Sequence, residues 1–410
     1  MRLIILTCLL LLSVRLAGAA RDVDSYPSSY SYSSSCMPSA ARVDCGYGDQ
    51  NSCEQHNCCW TPVQSSLTAN LSSYELTAPP AHLLKGTPWC YGKQRIVGGY
   101  AVTSVTPNDP SMNPGWLIEL ALYDGSGYFG TDIPSLNVSV TFESEARLRV
   151  KIVDAKQKRW EIPEDLLPLT PPTASIKVDD CNYEFSYTVK PFGFAVTRKE
   201  DGEVIFNTSV PTPLLDGTPL FNGLVFTDQY IEISTQLPNQ PSLYGLGEQV
   251  TSLQLRTQGR PITFWARDAP DPPDLNIYGS HPYYLENRQT MSGAPSQLTT
   301  KSHGVWLRNS NGMDVLIHDS QHAKRVFAQH NGLDEIDLID NEQQWGYLTY
   351  RVIGGVLDFF IYTGAGATSR PEQMIREYHK SIGFPHMPPL HTLGFHQVRQ
   401  IYDTIRQHVG

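Results

Sequence analysis

Positive charge and long apolar runs are both scarce in this sequence. Lysine and arginine number 31 against 41 aspartate and glutamate, a formal charge of −10, and no basic run gathers the cations that remain. That balance argues against nucleic acid or an anionic membrane as a partner. The apolar stretch from Leu3 to Ser13 is well short of the roughly 20 residues a spanning helix needs, so no membrane span is expected in the mature chain. Preceded by Arg2 and followed by Ala17-Gly18-Ala19, it reads instead as a signal peptide over residues 1–19, which places the protein in the secretory pathway or outside the cell. Sequons at Asn70, Asn137 and Asn207 are candidate glycan acceptors in such a chain.

Aliphatic residues are nearly absent from "SYPSSYSYSSS", so residues 20–35 cannot build a core and read as a flexible linker. Beyond it, Cys36, Cys45, Cys53, Cys58, Cys59 and Cys90 fall together. In an exported chain an even cluster implies a disulfide framework, because a segment this small cannot fold on apolar burial alone. A zinc site is disfavoured, since the vicinal Cys58 and Cys59 cannot both point into one small tetrahedral centre without strain. Counting alone leaves fifteen pairings open. Cys181 has no partner in this cluster and reads as a buried thiol.

From residue 94 the texture becomes short alternating segments. In "ARLRVKIVD", Leu148, Val150 and Ile152 alternate with Arg149 and Lys151, the period of a strand with one wet face. "FGFAVTRKEDGEVIFN" predicts two strands joined by a two-residue turn at Asp201-Gly202. "YIEIS", "GVWLRNS", "MDVLIHD", "YLTYRVI" and "VLDFFIY" continue the series, so the fold class is mainly β, a large sandwich or barrel over residues 94–368. The first convincing helix comes late, over residues 369–384: Ser369 and Glu372 form a capping-box pattern, Met374, Tyr378 and Ile382 share a face, and Gly383 and Pro385 end it. Residues 385–410 then begin with a proline hinge, and "HTLGF" predicts a strand buried on both sides, as in a parallel sheet.

"RVDCG", "CCW" and "PWCY" make residues 36–91 resemble a trefoil (P-type) domain. That resemblance implies the pairing Cys36 to Cys59, Cys45 to Cys58 and Cys53 to Cys90, and possible mucin or glycan contact. "LYGLGEQ", "DLNIYGSHPYYLE", "GVWLRNSNGMDV", "GGVLDFFIYTG" and "GFPHMPPLHTLGFHQVRQIY" follow in order. They resemble glycoside hydrolase family 31, the α-glucosidases. The likeness implies a galactose-mutarotase-like β-sandwich followed by the first strand of a (β/α)8 barrel. It also implies hydrolysis of terminal α-linked glucose from oligosaccharides, without a metal or organic cofactor.

Retaining glycoside hydrolysis needs two carboxyl groups about 5 Å apart. The family carries them on later barrel strands, and its pattern W-x-D-M-N-E does not occur here, so no residue of this chain is expected to be catalytic. The acidic clusters Asp179-Asp180, Glu143 with Glu145, and Asp337 to Glu342 read as solvated edges. Two positions are implied in substrate binding. Asp268 in "FWARDAPDPPD" matches a loop aspartate that accepts hydrogen bonds from sugar hydroxyls, a task suited to an ionised acceptor. A loop residue paired with Arg267 or a backbone amide is the plainer alternative. Tyr402 matches a pocket aromatic, although Val398, Gln400 and Ile401 around it depart from the family pattern. His281, His396, Trp265 and Trp345 are expected to pack or hydrogen-bond locally. A stand-alone secreted glycan- or mucin-binding protein is the rival from another class.

Overall fold

The computed structural model describes residues 35–36, 49–55, 58–60 and 90–94, and then 99–396 except 110–112, 126–130, 211–221, 258–259, 269–272, 292–297, 321–344 and 365–368. The expected signal peptide, most of the linker, Cys45, Asn70, Asp337 to Glu342 and Tyr402 lie outside the described residues.

In the cysteine-rich segment, β1 (Ser35–Cys36), α1 (Gln50–Gln55), β2 (Cys58–Trp60) and β3 (Cys90–Gln94) form a small unit in which β3 pairs antiparallel with both β1 and β2. Asp49 starts α1 by accepting the Ser52 amide at 2.9 Å, and that bond holds its carboxyl below the ordinary aspartate value. One turn later Cys53 is fully buried and disulfide-bonded.

Among the described residues sixteen strands follow. In chain order they are β4 (Gly99–Pro107), β5 (Gly115–Asp124), β6 (Ser135–Ser144), β7 (Arg147–Asp154), β8 (Tyr183–Val189), β9 (Phe192–Arg198), β10 (Val204–Asn207) and β11 (Val225–Phe226). Then come β12 (Ile231–Pro238), β13 (Ser242–Gly245), β14 (Ile262–Phe264), β15 (Tyr283–Met291), β16 (Leu298–Leu307), β17 (Met313–His318), β18 (Trp345–Val352) and β19 (Leu357–Tyr362). An eight-stranded sheet runs β13-β15-β16-β19-β7-β6-β5-β4, opposed by a five-stranded sheet β11-β12-β18-β17-β14 and a three-stranded one β10-β9-β8. Alternation does what it predicts on β7, where Leu148, Val150 and Ile152 are fully buried and Arg149 and Lys151 half-buried. Phe359 from β19 meets Phe206 at 5.4 Å, Tyr350 at 5.6 Å and Phe194 at 6.4 Å, so one ring ties all three sheets into a common core.

β19 does not alternate, because its outer face is also covered. There α2 (Pro371–Ile382) lays Met374 and Tyr378 over Tyr283, Trp306, Phe360 and Tyr362, with Tyr378 stacked on Tyr283 at 4.2 Å. The expected capping box is not used. Arg370 is the cap residue, Pro371 occupies the first helical position, and Ser369 instead gives its carbonyl to the Ser302 amide at 2.9 Å. At the other end Gly383 takes φ +96°, a conformation open to glycine, and stops the helix.

Three further expectations are corrected. Asp201-Gly202 is not a two-residue turn but part of a longer loop, in which Arg198 and Glu203 close the hairpin through a 2.8 Å backbone bond while Arg198 holds the Asp201 carboxylate. Glu143 is no solvated edge: it is buried, 2.7 Å from Arg147 and 3.9 Å from Arg149, beside a bidentate Arg149–Asp358 pair at 2.8 Å. Two neighbouring arginines make that burial tolerable, although desolvation pushes the Glu143 carboxyl above its ordinary value. Glu145, Asp179 and Asp180 are exposed. Finally, "HTLGF" forms no strand. Leu390–Leu393 is a 3-10 turn satisfied locally by Thr392 N–H on Pro389 O at 3.0 Å, because no described strand offers it a ladder.

Candidate functional site

Asp268 lies on an exposed ledge assembled from three loops. Asn276, almost fully buried, is the knot: its side-chain oxygen accepts the Trp265 amide at 3.0 Å, and its amide group donates to Glu248 O at 3.1 Å and Gly279 O at 2.7 Å. The Glu248 carboxylate in turn accepts the Gly279 amide at 2.7 Å, and Arg267 N–H donates to Ile277 O at 2.7 Å. The segments around 248, 265–268 and 276–279 are thereby locked together through groups that water would otherwise compete for. Asp274 pins a further corner: Thr251, Arg256 and Arg260 surround its carboxylate and hold it below the ordinary value.

On this base the Tyr278 hydroxyl donates to Asp268 Oδ1 at 2.6 Å. The second carboxylate oxygen has no protein partner among the described residues, and neither Arg267 nor a backbone amide is bonded to it. Tyr278, 66% exposed, sets an aromatic ring beside an accessible acceptor, the combination that sugars use: stacking for C–H faces and a charged acceptor for hydroxyls; Trp265, three positions before Asp268 in the same segment, is 59% exposed. His281, at the root of the ledge, reaches the Tyr378 hydroxyl of α2 at 3.3 Å.

Residues 137–321, which include the ledge, match the model of the glycosyl hydrolase 31 N-terminal galactose mutarotase-like domain, and residues 34–93 match the trefoil (P-type) domain. The chain carries the N-terminal domain of glycosyl hydrolase family 31. An alpha-glucosidase of Schizosaccharomyces pombe is 37% identical over 286 residues, 68% of this chain and 25% of that protein. Alpha-xylosidase 1 of Arabidopsis thaliana is 35% identical over 75% of this chain and 30% of its own length. The chain thus spans about a quarter to a third of the curated relatives it matches. In fold it resembles the glucosidase II alpha subunit, with a TM-score of 0.51 at 14% identity over 72% of this chain and 35% of that one.

Of the residues singled out in the sequence, the family 31 domain presents Asp268 in the open and leaves His281 at the ledge's edge. Trp265, expected to pack, is mostly exposed, with one edge of its ring over Gly312. His396 is exposed. Asn137 and Asn207 are both half-buried, and Asn207 Oδ1 accepts the Ser209 amide at 2.9 Å. Sequence reasoning missed Tyr278, although it lies in the motif "DLNIYGSHPYYLE".

It also missed an ionic cluster inside the sandwich. Glu286 on β15 is fully buried and takes a two-pronged grip from Arg288 at 2.9 and 3.2 Å, while Arg288 reaches on to Glu203 at 2.6 Å. His303, paired with Glu286 across β15 and β16, sets Nε2 3.2 Å from its carboxylate. Burial alone would raise the Glu286 carboxyl, but Arg288 and His303 outweigh it and hold the group at about 2. For His303 burial dominates and pushes the imidazole below 6.5, with Glu286 opposing.

Both shifts make acid destabilising. A histidine whose folded value lies below 6.5 lets the unfolded chain bind the proton first, so stability drops as pH falls below 6.5. The Glu286 contribution is present above its reference value of 4.5 and is lost as pH falls toward 2. Glu143, with a raised value, works in the opposite sense. Urea midpoints are expected to decline from pH 7 to pH 5, and His303→Gln to flatten that decline; an unchanged slope in the variant would remove His303 from the account.

Proposed function

We propose that this chain is the N-terminal, non-catalytic portion of a secreted α-glucosidase that hydrolyses terminal α-linked glucose from oligosaccharides, with Asp268 as a sugar-hydroxyl acceptor. The observation that carries the reading is the ledge: a carboxylate oriented through one oxygen by the exposed Tyr278 and open at the other. The alpha-glucosidase among its relatives supports the substrate class. Glu143, Glu286 and Asp358 are buried and each tied to arginines, which suits structural service and leaves the two reacting carboxyl groups of the mechanism to be supplied from outside this chain. Export rests on the signal-like N-terminus and the sequons, and the trefoil pairing on the vicinal cysteines and flanking motifs.

Purified residues 20–410 are expected to release no glucose from maltose or a chromogenic α-glucoside at acid or neutral pH. In the same preparation maltose should shift the NMR signals of Trp265 and Tyr278. Asp268→Asn should weaken that binding roughly 10- to 100-fold, the scale of a lost charged hydrogen bond. Turnover abolished by a single acidic substitution within this chain would overturn the proposal, as would maltose binding indifferent to Asp268.

A further inference from the structure

The outer face of the five-stranded sheet carries an apolar patch with charged neighbours. Across the strands, Phe264, Met313, Val352 and Ile231 stand in one row of the ladder, and all four are buried in the core. Side chains alternate along a strand, so the rows on either side of this one point out of the sandwich. In one of them Thr263, Asp314, Arg351 and Glu232 are in register. In the other, one step beyond the end of β14, Gly312 lies between Trp265 and Ile353, and Ile353 N–H donates to Gly312 O at 3.1 Å. A methyl group on Gly312 would stand 2.8 Å from Trp265 Cε3 and 3.2 Å from Ile353 Cδ1, so the two side chains meet over the glycine. Both are more than half exposed, at 59% and 53%.

We infer that this patch is a carbohydrate-binding surface, on which a neutral oligosaccharide lies against Trp265 and Ile353 with its hydroxyls on Asp314 and Arg351. The polar pair is held in place. Thr263 donates to Asp314 Oδ1 at 2.6 Å, which leaves the other carboxylate oxygen without a protein partner among the described residues. Arg351 donates through Nε to Glu232 at 3.0 Å, and its two terminal nitrogens have no partner among the described residues. Glu232 is buried and further fixed by Asn222 at 2.8 Å. An acceptor and a donor thus stand on facing residues of β17 and β18, beside an apolar floor. Trp265 is anchored too, its amide donating to Asn276 Oδ1 at 3.0 Å. Charge narrows the ligand. Glu232 answers Arg351, so Asp314 leaves the patch slightly negative and disfavours an anion, while the terminal guanidinium nitrogens disfavour a cation. A sugar meets both demands at once, because its C–H face stacks on an indole and its neighbouring hydroxyls donate to a carboxylate and accept from a guanidinium. The surface stands on these residues and does not require Asp268 to bind sugar.

The apolar row and the polar row lie two residues apart along each strand, about 7 Å, so a chain of several sugars is needed to cover both. The test is calorimetric titration with maltotetraose of the whole chain carrying Asp268→Asn, which silences the ledge. Saturable binding is expected, with maltose at least roughly 10-fold weaker. Adding Trp265→Ala or Asp314→Asn should each weaken maltotetraose binding roughly 10-fold, the scale of one lost charged hydrogen bond or stacking face. The Asp314→Asn change keeps an oxygen for Thr263, so the sheet should remain intact. Absence of binding in the Asp268→Asn chain, or binding that Asp314→Asn leaves unchanged, would overturn the assignment. So would concentration-dependent self-association abolished by Trp265→Ala, which would make the patch a protein contact.

Discussion

Arg288→Met is expected to destabilise the sandwich by about 3–5 kcal/mol, the range for stripping one partner from a buried ion pair. The loss exceeds the worth of the contact itself, because the variant leaves the fully buried Glu286 charged without its two-pronged partner and deprives Glu203 and the Val204 carbonyl of a donor. Glu286→Gln with Arg288→Met removes both charges and should cost clearly less than Arg288→Met alone. Urea unfolding of the four proteins in the cycle measures the difference. If the double variant were as damaged as the single, packing by the arginine stem rather than an uncompensated charge would be the cause.

Phe359→Ala should cost a similar amount, about 3–5 kcal/mol, by a different route. Its ring is fully buried and touches Phe194, Phe206 and Tyr350, one contact on each of three strands that belong to the two smaller sheets. Deleting it opens a cavity where the layers meet, and a site braced from several sides cannot collapse to fill it. Phe359→Leu, which keeps most of the volume, should lose less than half as much by the same measurement. Equal losses would mean that ring geometry rather than volume sets the cost.

The two predictions differ in how visible their residues are in the sequence. Phe359 lies in "VLDFFIY", an apolar run that reads as a strand, and its burial follows from that alone. Arg288 lies in "YYLENRQTM", where charges at alternate positions read as the wet face of a strand. The structure turns that face inward, because Glu286 and Arg288 neutralise one another and His303 meets them from β16. Glu143 misleads in the same way: a carboxylate near a turn is ordinarily solvated, and only the arrival of Arg147 and Arg149 beside it makes its burial possible. A linear pattern records polarity but not the partner that will cancel it.

At the ledge, the motif singles out Asp268 as an expected sugar acceptor, whereas it assigns Tyr278 no role. The two are ten positions apart, and their 2.6 Å bond exists because Asn276 and Glu248 fasten separate loops at one height. The 3-10 turn at Leu390–Leu393 shows the reverse limit. An apolar segment without alternation reads as a doubly covered strand, yet Leu390, Leu393 and Phe395 are 84%, 71% and 92% exposed. Strand formation needs a neighbour to accept the backbone bonds, and that is not a property of the segment itself.

By itself, then, the sequence determined a mainly β chain and a late helix whose apolar stripe would be covered, because period-2 and period-3.6 patterns and turn residues act over a few neighbours, while the trefoil and the family 31 sandwich were legible only through the resemblance of their motifs. Only the tertiary structure decided which polar residues go inside, how Asp268 is held, and which apolar segments find a partner. Those outcomes depend on side chains tens or hundreds of positions apart, Arg149 with Asp358 and Arg288 with Glu203 among them, whose desolvation is repaid only when the folded layers bring them together.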